Sequence, residues 1–312
     1  KGMRIKMAII LLLSRALQMS TPLILGSIAE VYTEKTGVMN IAIEGVFLIG
    51  AWAGFVGAFT TENIFLGFLT ALLAGMLVGI IYGFITIILK QHQIVTGVAL
   101  NILLAALAVY LYRVIFGIRV TPLKINPLSR LAVPLLSDIP VIGAILFNQN
   151  VMTYAVWLFV PAAYYVLYKT RVGLIIRSTG ANPEAVDAAG IKVEKVRYLT
   201  IIVSSGFAAL AGSFYTLAFL GLFSQDIIGG RGWIAFAICF LGNWHPLGAL
   251  LGALAFGLAD GLSVFFQTAS VKIIPNEFII ALPYILTIAA TVARKSFSVP
   301  EYLGVPYIKE EN

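Results

Sequence analysis

Charge is scarce in this sequence. Asp, Glu, Lys and Arg together make up only 11% of 312 residues, against about 25% in an ordinary soluble domain. There is one cysteine, Cys239, so no intrachain disulfide can form, and its apolar surroundings mark it as a small buried side chain. The two histidines have no soft ligands clustered near them, so no metal site is expected. There is no GxxxxGK[ST] phosphate loop, no HExxH and no GxSxG. The chain therefore does not hydrolyse nucleotide by the phosphate-loop route, and nothing converges as a catalytic centre. What the sequence has in abundance is apolar residues, at 60% with a mean hydropathy of +0.97. That composition indicates an all-α polytopic membrane protein, surrounded by lipid. The net charge of +7 is not a nucleic-acid footprint, because in a membrane protein the placement of Lys and Arg relative to the bilayer matters more than their sum.

Apolar runs mark nine spans: 7–32, 38–59, 64–89, 94–117, 151–168, 198–220, a short 231–242, 246–267 and 276–293. The first is read as interrupted at Ser20, Thr21 and Pro22. Residues 7–17 are apolar enough for a signal core, yet no small-residue cleavage site follows. The third span carries Gly75, Gly79 and Gly83 at four-residue spacing, a surface for close helix approach. Residues 118–150 contain Pro122, Pro127, Pro134 and Pro140 among apolar stretches, and are read as an ordered external loop at the membrane interface. Residues 1–312 form one integral domain. Segments 36–59 and 229–257 are both glycine-rich and interrupted by polar residues, the pattern of paired broken helices in two related halves beside a substrate path.

The most polar interval is 169–198, with six basic residues: Lys169, Arg171, Arg177, Lys192, Lys195 and Arg197. At its centre is a helix with both ends spelled out. Asn182 can cap it and Pro183 suits the first helical position. Glu184 sits at the positive end of the dipole, the run Ala185–Ala189 favours helix, and Gly190 supplies a left-handed terminator. A helix of about two turns is marginal alone, and its alanines suit docking against another surface. Placing this loop in the cytoplasm puts eleven basic residues on that side and six outside, as the positive-inside rule prefers. Alternation then leaves Lys1, Arg4 and Lys6 outside, so the crossing number lies between eight and ten.

The stretch ANPEAVDAAGI (181–191), preceded by GLIIRSTG, resembles the cytoplasmic coupling loop of ABC-importer permeases of the ribose, branched-chain amino acid and nucleoside group. TEKTGVMNIAIEGVFLIGAWAG (33–54) and GGRGWIAFAICFLGNWHPLGALLGALAFGLADG (229–261) are similar to that group's other signatures, in its nucleoside and simple-sugar branch. The resemblance implies a permease subunit in the cell membrane that translocates nucleosides, or simple sugars, by alternating access. It also implies a second, homologous or identical permease, a cytoplasmic ATPase holding ATP and Mg, and an extracytoplasmic binding protein. This chain itself would carry no cofactor. Ala181, Asn182, Pro183, Glu184, Ala185, Asp187, Ala188, Ala189 and Gly190 would then dock on the ATPase.

Intramembrane polar residues are the candidates for the path. Glu44, about six residues inside the second span, either faces substrate or caps backbone N–H groups where its own helix breaks near Gly45; Asn40 one turn earlier serves either role. Asp260 in the eighth span poses the same choice. Asn101 is read as an interhelical hydrogen bond or a ligand. Trp233 and Trp244 flank the short segment, where aromatic anchors sit at membrane interfaces. His245 reads as a loop residue. Asp226 and Arg231 would face outward, to meet a partner or pair with each other. A different class of protein, an ion-coupled secondary transporter, would use Glu44 and Asp260 as coupling sites.

Overall fold

The computed structural model describes residues 2–119, 121–268 and 296–308, with six further positions between 281 and 292. The long helices are α1 (Gly2–Lys35), α2 (Ile43–Thr61), α3 (Ile64–Gly83, continued by a π-helical turn Phe84–Ile88) and α4 (Gln93–Phe116). A loop follows with strands β1 (Arg130–Ala132) and β2 (Asn148–Asn150) and a short helix α5 (Ile142–Leu146) between them. Then come α6 (Val151–Lys169), α7 (Arg171–Ala181), α8 (Pro183–Ala188) and α9 (Val193–Phe214), which ends in a second π-helical turn, Tyr215–Leu220. The short α10 (Arg231–Leu241) and α11 (Pro246–Thr268) complete the described helices. Among the described residues, seven helices are long and apolar enough to span a bilayer, and α10 is the short one expected at 231–242. Most of the span read at 276–293 lies outside the described residues.

Burial separates the helices into two sets. Helices α1, α2 and α9 form the interior, where Ile24, Ile28, Phe47, Phe55 and Phe214 are fully covered. Helices α3, α4 and α6 keep large apolar side chains such as Leu73, Ile102 and Leu158 exposed, as lipid-facing helices must. Lipid offers no hydrophobic drive between helices, so the interior is held by close backbone approach of small residues. Gly75, Gly79 and Gly83 of α3 lie against Ser205, Ile202 and Tyr198 of α9, the face their spacing predicted. Where α2 crosses α9, a side chain on Gly50 would run into the Ala209 backbone, and one on Gly212 into the Phe47 backbone.

Several sequence expectations are corrected. The first span is not interrupted at Pro22, since α1 runs through it. The Ser20 and Thr21 hydroxyls both donate to the Leu17 carbonyl, at 2.8 and 3.0 Å, and so turn their polar atoms back onto their own helix just before the proline. The second span does not start at 38. Residues 36–42 form a tight irregular segment and α2 begins at Ile43, which puts Glu44 in the first helical turn instead of deep inside a span. Beyond α4, β1 and β2 pair antiparallel, and Ile125 and Leu128 donate to the carbonyls of Gly221 and Leu217 at the end of the second π turn.

Because carbonyls cannot swing aside as side chains can, Gly212→Ala is expected to lower stability by about 1–3 kcal/mol. Gly206→Ala, which crowds the side chains of Leu72 and Met76 and reaches the Leu72 carbonyl only at an ordinary 3.4 Å, should shift it far less. Thermal unfolding of the two detergent-solubilised variants checks the contrast, and equal shifts would contradict it.

Candidate functional site

Two interruptions of helix lie side by side, one between α1 and α2 and one ahead of α10. Each leaves backbone groups that must be satisfied by protein. At the first, the Met39 N–H donates to the Gln93 side chain at 2.8 Å and the Met39 carbonyl accepts from the Tyr82 hydroxyl. The Asn101 amide then bridges the break. Its Oδ1 accepts from the Gly45 N–H at 2.7 Å and its Nδ2 donates to the Ile41 carbonyl at 2.5 Å. Asn101 is thus an interhelical splice from α4.

At the second interruption Glu44 reaches across. Its Oε1 accepts from the Gly230 N–H at 2.8 Å, and its Oε2 accepts from Gly232 at 2.7 Å and Trp233 at 3.3 Å. Three of the unpaired N–H groups that open α10 are therefore held by one carboxylate, a charge-assisted cap aligned with the helix dipole. The cap was expected on Glu44's own helix. It falls instead on a helix 186 residues later in the chain, which sequence spacing cannot reveal. Glycine is required on both sides of the contact: Gly230 adopts φ +84°, and a side chain on Gly232 would meet Glu44 itself.

Arg231, next to this cap, pairs with Asp260 of α11 at 3.2 Å and lies over the Tyr215 ring at 5.3 Å. Pairing with Asp226, one of the two roles the sequence allowed for Arg231, is not what the structure shows. Asn40, Glu44, Asn101, Trp233 and Asp260 thus gather around the two breaks, although Asn40 is fully covered, with its amide beside the Glu30 carboxylate of α1. Trp233 is partly exposed, at 41%. Trp244 is not an interfacial anchor: it is fully buried, and its indole N–H donates to the Glu34 carboxylate. Cys239 is buried as expected. His245 packs against the rings of Tyr164 and Tyr168. Burial, with the nearby Lys35 charge, lowers its imidazole pKa below the usual histidine value.

The polar stretch forms the second part of the site. Asn182 caps α8 by accepting from the Ala185 N–H at 2.9 Å, Pro183 takes the first position, and Gly190 follows the helix at φ +80°. Pro183 and Val186 point inward, while Ala181, Asn182, Glu184, Ala185, Ala188, Ala189 and Gly190 are exposed and Asp187 is half-buried. Arg197, one of the six basic residues of this stretch, is not solvated. It is 2% exposed, and its guanidinium donates to the Thr36 carbonyl at 2.9 Å and the Val305 carbonyl at 2.8 Å. Gly304 N–H donates to Gly37 O at 2.9 Å, and Tyr302 N–H to Gly180 O at 3.1 Å. The turn that opens the first break is thus tied to the end of α7, to α9 and to the tail. Nothing in the local sequence marks Arg197, Gln93, Tyr82 or Glu34 for these tasks.

The family described as branched-chain amino acid transport system / permease component matches residues 12–291. The chain belongs to this family. It is 38% identical to the nucleoside ABC transporter permease protein NupC of Lactococcus lactis, covering 94% of this chain and 95% of that protein. It is 36% identical to the guanosine ABC transporter permease protein NupQ of Bacillus subtilis (93% and 94%), and 35% identical to TsgC13 of Haloferax volcanii, assigned as a glucose ABC transporter permease (85% and 80%). A solved structure of a protein assigned as a metal-chelate type ABC transporter, in an inward-facing conformation, shares the fold at TM-score 0.50 and 17% identity, over 92% of this chain and 87% of that one. The chain is a multi-pass membrane permease subunit, a transport component.

The cap geometry orders the Glu44 variants. Glu44→Gln keeps one acceptor oxygen, able to hold the Gly232 and Trp233 N–H groups, and leaves one donor unpaired, a loss of about 1–3 kcal/mol. Glu44→Ala strands all three and should be clearly less stable. Unfolding midpoints of both variants in detergent check this, and equal midpoints would mean that the carboxylate is not the cap.

Proposed function

We propose that this chain is the permease of an ATP-driven importer for nucleosides, working beside a second permease, with ATP and Mg bound on a separate cytoplasmic ATPase and substrate delivered by an extracytoplasmic binding protein. Family membership supports the ABC permease role, and the nucleoside permeases among its relatives, at 38% and 36% identity over nearly the whole chain, support the substrate class. Simple sugars are the second reading, favoured by the 35% identity to the glucose permease.

The observation that carries the coupling role is α8, a six-residue helix capped at both ends that turns an alanine-rich face outward. A helix this short is not stable by itself, and its exposed small side chains leave room for a groove of a partner to close over them. In this reading 169–198 faces the cytoplasm and 118–150 the outside. Closure of the ATPases displaces α8 and the adjoining α7. The hydrogen bonds from Gly180 through Tyr302 and Gly304 to Gly37, with Arg197 on Thr36, pass that displacement to the turn ahead of the first break. Glu44 then links the first break to α10, so the two broken segments move as one unit beside the path. An ion-coupled transporter would need a carboxylate free to exchange a cation or proton. Glu44 is occupied by three N–H donors and Asp260 by Arg231, which speaks against these two as coupling sites; the ATP-driven reading itself is supported by family membership.

Ala185→Trp and Ala189→Trp should leave the permease folded and monodisperse while lowering substrate-stimulated ATP hydrolysis of the assembled transporter by about tenfold or more, because an indole cannot occupy the space left for a methyl group. Unchanged ATPase stimulation in both variants would overturn the docking role of α8. Substrate class is checked on the partner binding protein by calorimetry. A purine or pyrimidine nucleoside should bind more tightly than any free sugar or amino acid, and preference for a free sugar would instead establish the second reading.

A further inference from the structure

A crevice of about 380 Å³ opens sideways between α6 and α9, with α1 as its back wall and the start of α7 at one end. Its lining is almost entirely apolar; of its hydroxyl residues Tyr32, Thr200 and Ser204, the first two donate to the carbonyls of Ala163 and Val196. One wall carries Phe159 and Val166 of α6, the other Leu199 and Val203 of α9, and Val172 of α7 lies near the mouth. Val172, Leu199 and Val203 are 59%, 51% and 48% exposed, so the slot faces the surrounding hydrocarbon. The tilted rings of Phe159 and Phe207, 4.9 Å between centroids, close the far end. From Leu199 to Phe207 the wall rises about 12 Å at the pitch of an α-helix, the scale of a stretch of acyl chain.

The other end is basic. Lys169 lies one turn beyond Val166 on the same face of α6, and Lys195 one turn before Leu199 on α9. Arg171 adjoins Val172 where α6 passes into α7. All three are exposed, and among the described residues no carboxylate lies within ion-pair distance of any of them. A slot that is almost entirely apolar and carries three cations at its mouth matches one kind of membrane component. We propose that this crevice binds one anionic phospholipid, its acyl chain lying between α6 and α9 down to Phe159 and Phe207 and its phosphate held by Lys169, Arg171 and Lys195. The bound chain would lie against Tyr32, whose hydroxyl donates to the Ala163 carbonyl at 2.6 Å, and thus against α1 one turn before the first break. The site does not depend on which solute the permease carries.

The test uses the full chain in nanodiscs of equal phosphatidylglycerol and phosphatidylcholine, with native mass spectrometry counting the lipid retained after gentle extraction. One phosphatidylglycerol should be retained in preference to phosphatidylcholine. The combined Lys169→Gln, Arg171→Gln and Lys195→Gln variant should reduce that preference about tenfold or more, since each basic residue near an anionic headgroup is worth roughly a factor of five. Val203→Trp, which fills the slot, should reduce retention of both lipids. The combined Lys124→Gln and Arg130→Gln variant, which removes charge elsewhere, should behave as wild type. No lipid preference in the wild type, an unchanged preference in the triple variant, or an equal loss on removing Lys124 and Arg130 would each overturn the proposal. The triple variant alters only exposed side chains, so its outcome decides the matter even if Val203→Trp fails to fold.

Discussion

A helix that ends inside a bilayer leaves N–H and C=O groups with no water to bind, and each must be paired by the protein itself. Most of this structure's polar interior is explained by that constraint. The Glu44 carboxylate takes three N–H groups at the start of α10, while Asn101, Gln93 and Tyr82 satisfy the backbone between α1 and α2. The donors and acceptors are exchanged between distant parts of the chain. The second break depends on the first, because the carboxylate that caps α10 stands in the first turn of α2, where Asn101, Gln93 and Tyr82 hold the backbone.

The same constraint explains why the interior is built from small residues. With no hydrophobic drive to bring helices together in lipid, contact must come from dispersion between backbones that approach closely. Gly50 and Gly212 allow α2 and α9 to touch backbone to backbone, and Gly75, Gly79 and Gly83 do the same for α3 on α9. The Glu44 cap depends on such approach, since Gly232 leaves space for the carboxylate at the first turn of α10. Packing and capping are therefore one arrangement. A rigid junction of this kind transmits a displacement, where a loosely packed one would absorb it.

Arg197 joins that junction to the polar stretch. An arginine this deeply buried is tolerated because two backbone carbonyls from different segments accept its donors. It anchors the turn at Thr36–Gly37 to the tail and to α9, on the side where α7 and α8 lie. Helices α7 and α8 and the two breaks are thus connected through hydrogen bonds, not through a flexible linker.

The sequence alone determined the class of the protein, most of its long helices, the docking face of α3 and the capped helix at 183–188. Each of these is written in contiguous residues: composition, hydropathy runs, glycine at four-residue spacing, and the succession of Asn182, Pro183 and Gly190. It also pointed to Asn40, Glu44, Asn101, Trp233 and Asp260, because polar groups among apolar runs are conspicuous. What each one does was decided only in three dimensions. Glu44 caps a helix far along the chain, Arg231 chooses Asp260 over Asp226, Trp244 turns inward to Glu34, and Arg197 leaves its basic neighbours for the interior. The extent of α1 through Pro22 and the true start of α2 belong to the same group, since a helix end depends on which partners can satisfy its backbone. Hydrogen-bond pairing between residues more than a hundred positions apart leaves no local periodicity to read, and only the packed fold brings the two sides together.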